Sequence, residues 1–275
     1  MAIDCRVVDY DDIADRYDAR YAHYAYDGVR ETLLNFLGPE PNAVLEVGCG
    51  TGHWLAVAQE ARLKPLPYGD NRSAKALAER PILAGVDRSA PMLERARIAA
   101  PSARLIKARA EDLPWRDAAF DRLFCVNALH HFADRGRFFA EARRVLKPGG
   151  GLLTIGKDPH TDRDEWWVYE YFDETRAIDR ERFARVRTLR GEMALAGFAW
   201  AESSEADHIE VLRPAGEALT NGVVDRSFTS QLTLLSDEAF SEGAERLRRA
   251  NDAAGGELQL VADFRLYATI GWVGP

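Results

Sequence analysis

The sequence predicts a doubly wound α/β fold built on a mainly parallel sheet, and three observations lead there. From about Val44 to Gly156, short apolar runs alternate with amphipathic helical stretches. The first run ends in closely spaced glycines, Gly48-Cys49-Gly50-Thr51-Gly52. Acidic residues stand at or just beyond the ends of three successive runs, at Glu46, Asp87 and Asp112. Strands separated by helices need right-handed crossovers, which lay helices on both faces of the sheet.

Each element follows in order. Val44 to Val47 reads as the first strand, and His53 to Arg62 carries a helical pattern. Ile82 to Val86 is the second strand, followed by a helix from Pro91 to Ala100 whose proline sits in a favoured first-turn position. Ala103 to Ala108 and Phe120 to Asn127 are the third and fourth strands. Arg135 to Leu146 is a helix stopped by Pro148-Gly149-Gly150, and Gly151 to Gly156 is the fifth strand. Beyond it, Trp166 to Phe172, Arg180 to Ala196 and Glu238 to Asn251 look helical, while His208 to Leu212 and Phe264 to Val273 look like strands. These last two are expected to close a seven-stranded, Rossmann-like sheet, with a helical cap inserted in the C-terminal half. The expected division is 1–157, a ligand-binding α/β core with N-terminal helices and a surface insertion at 63–80, and 158–275, cap helices plus the closing strands.

Composition narrows the function. With 47% hydrophobic residues in 275 the chain can bury a full core, and no apolar run approaches the ~20 residues that span a bilayer. The start, Met1 to Arg6, lacks the basic and apolar segments of a secretory signal, so a cytoplasmic protein with no membrane partner is expected. Cys5, Cys49 and Cys125 have no paired spacing and read as reduced thiols; no zinc-type cluster is visible, so no metal is expected. A net charge of −8 argues against a nucleic-acid partner, which draws affinity from Lys and Arg on phosphates. The nearest basic cluster, Arg180, Arg182, Arg185, Arg187 and Arg190, is interleaved with Asp179 and Glu181 and reads as a solvated helix face.

The glycine turn carries the most information. Closely spaced glycines let the backbone turn sharply and let a ligand approach without a Cβ in the way. The next helix is expected to present unpaired N–H groups. A dinucleotide fingerprint, Gly-x-Gly-x-x-Gly, would need glycine where His53 stands; here the third glycine comes one residue early.

Glu46-Val47-Gly48-Cys49-Gly50-Thr51-Gly52 resembles the first motif of class I S-adenosylmethionine-dependent methyltransferases, in their small-molecule, ubiquinone/menaquinone-biosynthesis-like branch. Gly85-Val86-Asp87-Arg88-Ser89 with Met92 resembles their second motif, whose acid takes both ribose hydroxyls. The separation of Glu46 from Asp87 exceeds the ~20 residues of an uninterrupted unit, and the insertion accounts for the excess. Glu111-Asp112-Leu113 resembles the loop that holds the adenine amino group. Cys125 to His131 resembles the fourth-strand motif, with Asn127 and Ala128 facing the methionine part, and Arg144 to Gly150 the turn before the fifth strand. Tyr17 resembles part of an N-terminal helix that folds over the donor. The resemblance covers about Asp11 to Gly156. It implies S-adenosylmethionine as cofactor, S-adenosylhomocysteine as product, and cofactor contacts from Tyr17, Glu46, Gly48, Cys49, Gly50, Thr51, Gly52, Asp87, Arg88, Met92, Glu111, Asp112, Leu113, Asn127 and Ala128.

Each residue also has a plainer role: Glu46 capping the next turn, Asp87 as an ordinary helix N-cap, Asp112 as a loop acid. If the acceptor must lose a proton, His131 and His160 are the candidate bases, the alternative being packing or loop hydrogen bonds. The run Trp166 to Phe172 divides between core and acceptor pocket, and Phe228 to Leu232 offers polar contacts. A small-molecule acceptor is the leading reading; a tRNA or protein methyltransferase and a non-catalytic donor-binding regulator are the alternatives. The methylated atom and the oligomeric state stay open.

Overall fold

A computed structural model describes residues 8, 10–13, 18–39, 41, 43–63 and 82–275. All but the first residue of the expected insertion, and Tyr17, lie outside the described residues. After two short helical turns the elements are α1 (Asp27–Leu37), β1 (Ala43–Val47), α2 (His53–Leu63), β2 (Ile82–Asp87), α3 (Ala90–Ala99), β3 (Arg104–Lys107), β4 (Phe120–Val126), α4 (Arg135–Val145) and β5 (Leu146–Gly156). There follow β6 (Glu165–Trp166), α5 (Trp167–Tyr171), α6 (Thr175–Arg182), α7 (Val186–Leu195), β7 (Trp200–Pro214), α8 (Asp237–Ala253) and β8 (Gln259–Trp272).

Among the described residues the strands pair as β3-β2-β1-β4-β5-β8-β6, with β7 on β8, an eight-stranded sheet. The sequence count of seven missed β6, a two-residue strand whose Glu165 and Trp166 pair with Asp263 and Ala262. The chain divides into two compact units. The larger holds Asp27–Gly156, Val186–Ala206 and Tyr267–Pro275; the smaller holds the described residues up to Tyr26, Lys157–Arg185 and Asp207–Leu266.

In the larger unit β1 to β5 are parallel, and β5 also pairs antiparallel with the end of β8, Leu153 opposite Ile270. All five residues of β1 are buried, as expected of a strand covered on both faces. Amphipathic α4 turns Phe138, Phe139, Ala142 and Val145 inward, against Leu45, Val47, Phe120, Leu123 and Leu152. Each fully buried Leu or Phe contributes roughly 1.5–3 kcal/mol. Capping fixes the helix starts: Asp134 accepts from the Arg137 N–H at 2.9 Å, and Ser89 from the Met92 N–H at 3.3 Å.

Two departures from expectation have packing causes. The fifth strand begins at Leu146 rather than Gly151, so the glycines lie inside it. A Cβ at Gly151 would fall 2.8 Å from the Trp272 ring, and one at Gly150 would fall 2.8 Å from the Lys147 carbonyl. The glycines thus admit the C-terminal strand rather than simply stopping a helix. The stretch Arg180 to Ala196 is two helices, broken at extended Phe183. Ile178 packs in the smaller unit's core and Met193 in the larger one's, which no single straight helix face serves.

The smaller unit's core is aromatic, with Trp166, Trp167, Tyr169, Phe172, Phe228 and Phe264 buried together. Gly243 of α8 lets that helix approach closely, since a Cβ there would fall 2.3 Å from the Phe172 ring.

Gly85 links the larger unit's sheet to the glycine turn. A Cβ there would fall 2.6 Å from Leu55 Cδ1 and 3.0 Å from Cys49 Sγ. Gly85→Ala is expected to destabilise the protein by about 1–3 kcal/mol through overpacking. An unchanged urea-unfolding midpoint would show that β2 and α2 have room to spare.

Candidate functional site

Parallel β1, β2 and β4 end at one sheet edge, the position where open α/β sheets bind ligands. Glu46 stands opposite Gly85 and Phe124, and Asp87 opposite Lys107. Asp121, at the start of β4, instead accepts from the Ala43 N–H at 2.7 Å and pairs with Lys147 at 2.9 Å, tying down the opposite edge.

The turn after β1 runs through three left-handed glycines, Gly48, Gly50 and Gly52, with φ of 73°, 50° and 85°. Gly48 presses on the start of the loop after β4: a Cβ there would fall 2.5 Å from the Ala128 Cβ. At Gly52 it would fall 2.8 Å from the Ala96 Cα, so α2 can start close to α3 only with glycine. The hydrogen bonds of this turn differ from the expected open row of donors. Gly48 and Cys49 both donate to the Val86 carbonyl, at 2.8 and 2.9 Å, and Gly52 donates to the Cys49 carbonyl at 2.9 Å. Gly50 donates to Asp87 Oδ2 at 2.8 Å. The turn therefore offers close backbone approach rather than a nest of free N–H groups for an anion.

Two carboxylates sit beside it. Asp87 accepts from the Ser89 N–H through Oδ1 at 2.9 Å and from Gly50 through Oδ2, so each oxygen keeps capacity for a further donor. Burial pushes its carboxyl up, against the pull of the Ser89 and Gly50 N–H groups. The N-cap of α3 is Ser89, not Asp87. Glu46 is 1% exposed, and its Oε2 has no hydrogen-bond partner. Burial and then the charge of Asp87 push the Glu46 carboxyl well up, while the Leu55 N–H works in the opposite direction. Cys49 is a buried free thiol, pushed up by burial and by the same two acids. Thr51 is buried, Met92 lies in the interior, and Arg88 is exposed.

The loop after β3 is held by Glu111, whose Oε1 accepts from the Ala133 and Asp134 N–H groups at 2.7 and 3.3 Å. Burial works to raise its carboxyl, but backbone N–H groups outweigh burial and hold it below the usual range. Asp112 is exposed, and buried Leu113 donates its N–H to Glu141 at 2.8 Å. Asn127 takes a left-handed φ of 50° at the end of β4 and donates to the Ile155 carbonyl at 2.8 Å. His131 follows in the 3-10 turn Leu129–His131, its ring 3.9 Å from that of His130.

The other candidate base lies in the smaller unit. His160 Nε2 donates to the Phe183 carbonyl at 2.9 Å, and its backbone N–H donates to Asp158 at 3.1 Å. The smaller unit also holds a group that the sequence did not single out. The Lys157 ammonium lies 3.4 Å from the Trp166 ring centroid and 4.6 Å from that of Phe264, with no exposed surface and no hydrogen-bond partner. Burial brings its pKa down to about 8, against the opposing charges of Asp179 and Asp164. Its signal in sequence is only a lysine just after a buried strand, which is too common to be diagnostic.

Among the described residues no group of three or more His, Cys, Asp or Glu could hold a metal ion, and no helix is long and apolar enough to cross a membrane.

Comparison with known proteins completes the picture. A family model described as a methyltransferase domain matches residues 66–154. Demethylmenaquinone methyltransferase of Thermotoga maritima is 30% identical over 171 residues, covering 60% of this chain and 68% of the relative. A phthiotriol/phenolphthiotriol dimycocerosates methyltransferase of Mycobacterium ulcerans is 33% identical over 126 residues, covering 45% of this chain but only 40% of the relative. A methyltransferase structure from an antibiotic biosynthesis pathway of Anabaena variabilis shares the fold at a TM-score of 0.62 and 19% identity, covering 88% of this chain and 95% of that one.

Glu46 holds its proton to higher pH in the fold than in the unfolded chain. The penalty for its charge is therefore present above the raised value and relieved as pH falls toward 4.5. Glu46→Gln is expected to stabilise the ligand-free protein at neutral pH, on the order of 1–3 kcal/mol. Thermal unfolding across pH should show that gain shrinking toward pH 4.5; a gain independent of pH would rule the buried charge out as its source.

Proposed function

This chain belongs to the class I S-adenosylmethionine-dependent methyltransferases, and we propose that it methylates a small-molecule acceptor with the donor held by Glu46, Asp87 and the glycine turn. One observation carries this reading: four N–H groups of the turn are consumed internally while a buried carboxylate oxygen, Glu46 Oε2, beside it lacks a partner. Such a site repels a pyrophosphate, which needs free N–H donors, and suits a ligand bearing positive charge. S-adenosylmethionine, when bound, supplies a methyl carbon activated by a positive sulfonium and leaves as S-adenosylhomocysteine.

The chain's own groups then bind and orient. Asp87, already fixed by two N–H groups, has lone pairs left for two neighbouring hydroxyls. Glu46 Oε2 takes a cationic or N–H donor. Glu111 is spent on holding the loop and the Leu113 backbone is committed to Glu141, Trp115 and Arg144, so exposed Asp112 is the group left for the adenine amino group. Left-handed Asn127 turns the chain sharply beside Ala128. Where the acceptor must lose a proton, His131 is assigned the base. His160 is tied through Nε2 to a carbonyl and is assigned a positioning role in the smaller unit.

Transfer itself needs the nucleophile held about 3 Å from the methyl group, with water excluded. The names of the relatives, acting on demethylmenaquinone and on phthiotriols, support an acceptor of small-molecule class. The net charge of −8 supports a partner other than nucleic acid.

Calorimetric titration with S-adenosylmethionine, S-adenosylhomocysteine and NADH tests the donor site. The first two are expected to bind, and Asp87→Ala to weaken both by about tenfold to a hundredfold. Binding of NADH alone, or of none of the three, overturns the reading.

A further inference from the structure

The smaller unit contains a polar cluster that its own fold leaves incomplete. Asp179 is fully buried; its Oδ2 accepts from the Tyr169 hydroxyl and from Gln231 Nε2, both at 2.6 Å. Its Oδ1 has no partner. Asp164 repeats the pattern, with Oδ1 taking the Arg265 N–H at 3.1 Å and Oδ2 left without one. The charges of both acids act on the Lys157 ammonium, itself without a hydrogen-bond partner.

A buried polar atom left without a partner costs about as much as a lost hydrogen bond, and folded proteins leave few of them. Two carboxylate oxygens and one ammonium left open around the same residues mark a place prepared for a ligand. We propose that Lys157, Asp164 and Asp179 form a binding site for a small neutral molecule carrying adjacent hydroxyl groups. The site lies wholly within the smaller unit, and the inference stands independently of the methyltransferase reading.

The chemistry selects the class in two steps. Lys157, Arg176 and Arg265 act on Asp164, and Lys157 and Arg182 on Asp179, while Arg176 also lies 3.7 Å from Asp162 and Arg265 3.0 Å from Asp263, so the two buried acids are already met by cations. An ionic ligand would add an uncompensated charge in this buried setting, which is strongly unfavourable. A neutral ligand must still bring donors to Asp164 Oδ2 and Asp179 Oδ1 and an acceptor to Lys157 Nζ. Hydroxyl groups do both at once, and several on neighbouring carbons place them within one small volume. Trp166 and Phe264 hold the ammonium by their faces, so Lys157 stays in place while it donates. These atoms carry no exposed surface, so a ligand reaches them only when neighbouring side chains move aside.

Adjacent hydroxyls occur on aromatic rings and on saturated ones, and catechol and myo-inositol separate the two sources. Calorimetry on the unmutated full chain should show one-to-one binding of at least one of them. The matching compounds with the donors removed, 1,2-dimethoxybenzene for catechol and cyclohexanol for inositol, should bind at least tenfold more weakly. Glucuronate and protonated glucosamine should not compete. Asp179→Asn should weaken the bound compound at least tenfold, while the comparison between analogues needs no variant to fold. Binding of neither compound, equal binding of the donorless analogues, or preference for the ions overturns the proposal. Titrating S-adenosylmethionine into the same sample separates the two claims. Donor binding without polyol binding defeats this inference alone, and polyol binding without donor binding defeats the earlier reading alone.

Discussion

The bond from the Gly50 N–H to Asp87 Oδ2 holds the carboxyl edge of the parallel sheet together. Asp87 spends its other oxygen on the Ser89 N–H, so one carboxylate pins the glycine turn after β1 to the start of α3. The double donation from Gly48 and Cys49 to the Val86 carbonyl clamps the same turn to the last residues of β2. Only left-handed glycines allow this path, because Ala128 and Ala96 stand where side chains would go. The turn is rigid because it is internally satisfied, and for the same reason it has little left to offer an anion.

Both units bury ionisable groups where their charged forms are disfavoured. In the larger unit Glu46 is pushed up by burial and by its neighbour Asp87. In the smaller unit Lys157, Asp164 and Asp179 face one another with open hydrogen-bonding capacity. Replacing such groups with apolar ones commonly leaves a fold as stable or more so, which is why their retention points to binding rather than to stability. The two sites differ in sign. Around Glu46 the unmatched charge is negative, favouring a cationic ligand; around Lys157 the acids are met by cations, favouring a neutral one.

Much of the fold was legible because local rules and tertiary packing agree there. The strand-helix alternation from β1 to β5, the glycine turn, the helix that opens near Pro91 and the antiparallel closing strand all follow from periodicity and turn chemistry. The misreadings fall where long-range packing overrides local signals. Pro148-Gly149-Gly150 looked like a helix stop and lies within a strand, where a Cβ at Gly150 would meet the Lys147 carbonyl and one at the next residue, Gly151, the Trp272 ring. Arg180 to Ala196 looked like one helix and is two, broken at extended Phe183, with Ile178 of the first helix in one core and Met193 of the second in the other. Trp166 looked helical and pairs as a strand with Ala262.

By itself, the sequence determined the α/β class, the family and the acids at the ends of successive parallel strands, because these depend on spacing along the chain. It could not say which of the polar groups there would be satisfied. Glu111 turned out to be committed to the backbone at Ala133 and Asp134, His160 to the Phe183 carbonyl, and the turn's N–H groups to one another, Val86 and Asp87. The cluster of Lys157, Asp164 and Asp179, with Gln231 bound to the last, joins residues that no local pattern in the sequence links. Tertiary structure alone decided these points, because a hydrogen bond is completed or left open by partners that folding, not chain order, brings together.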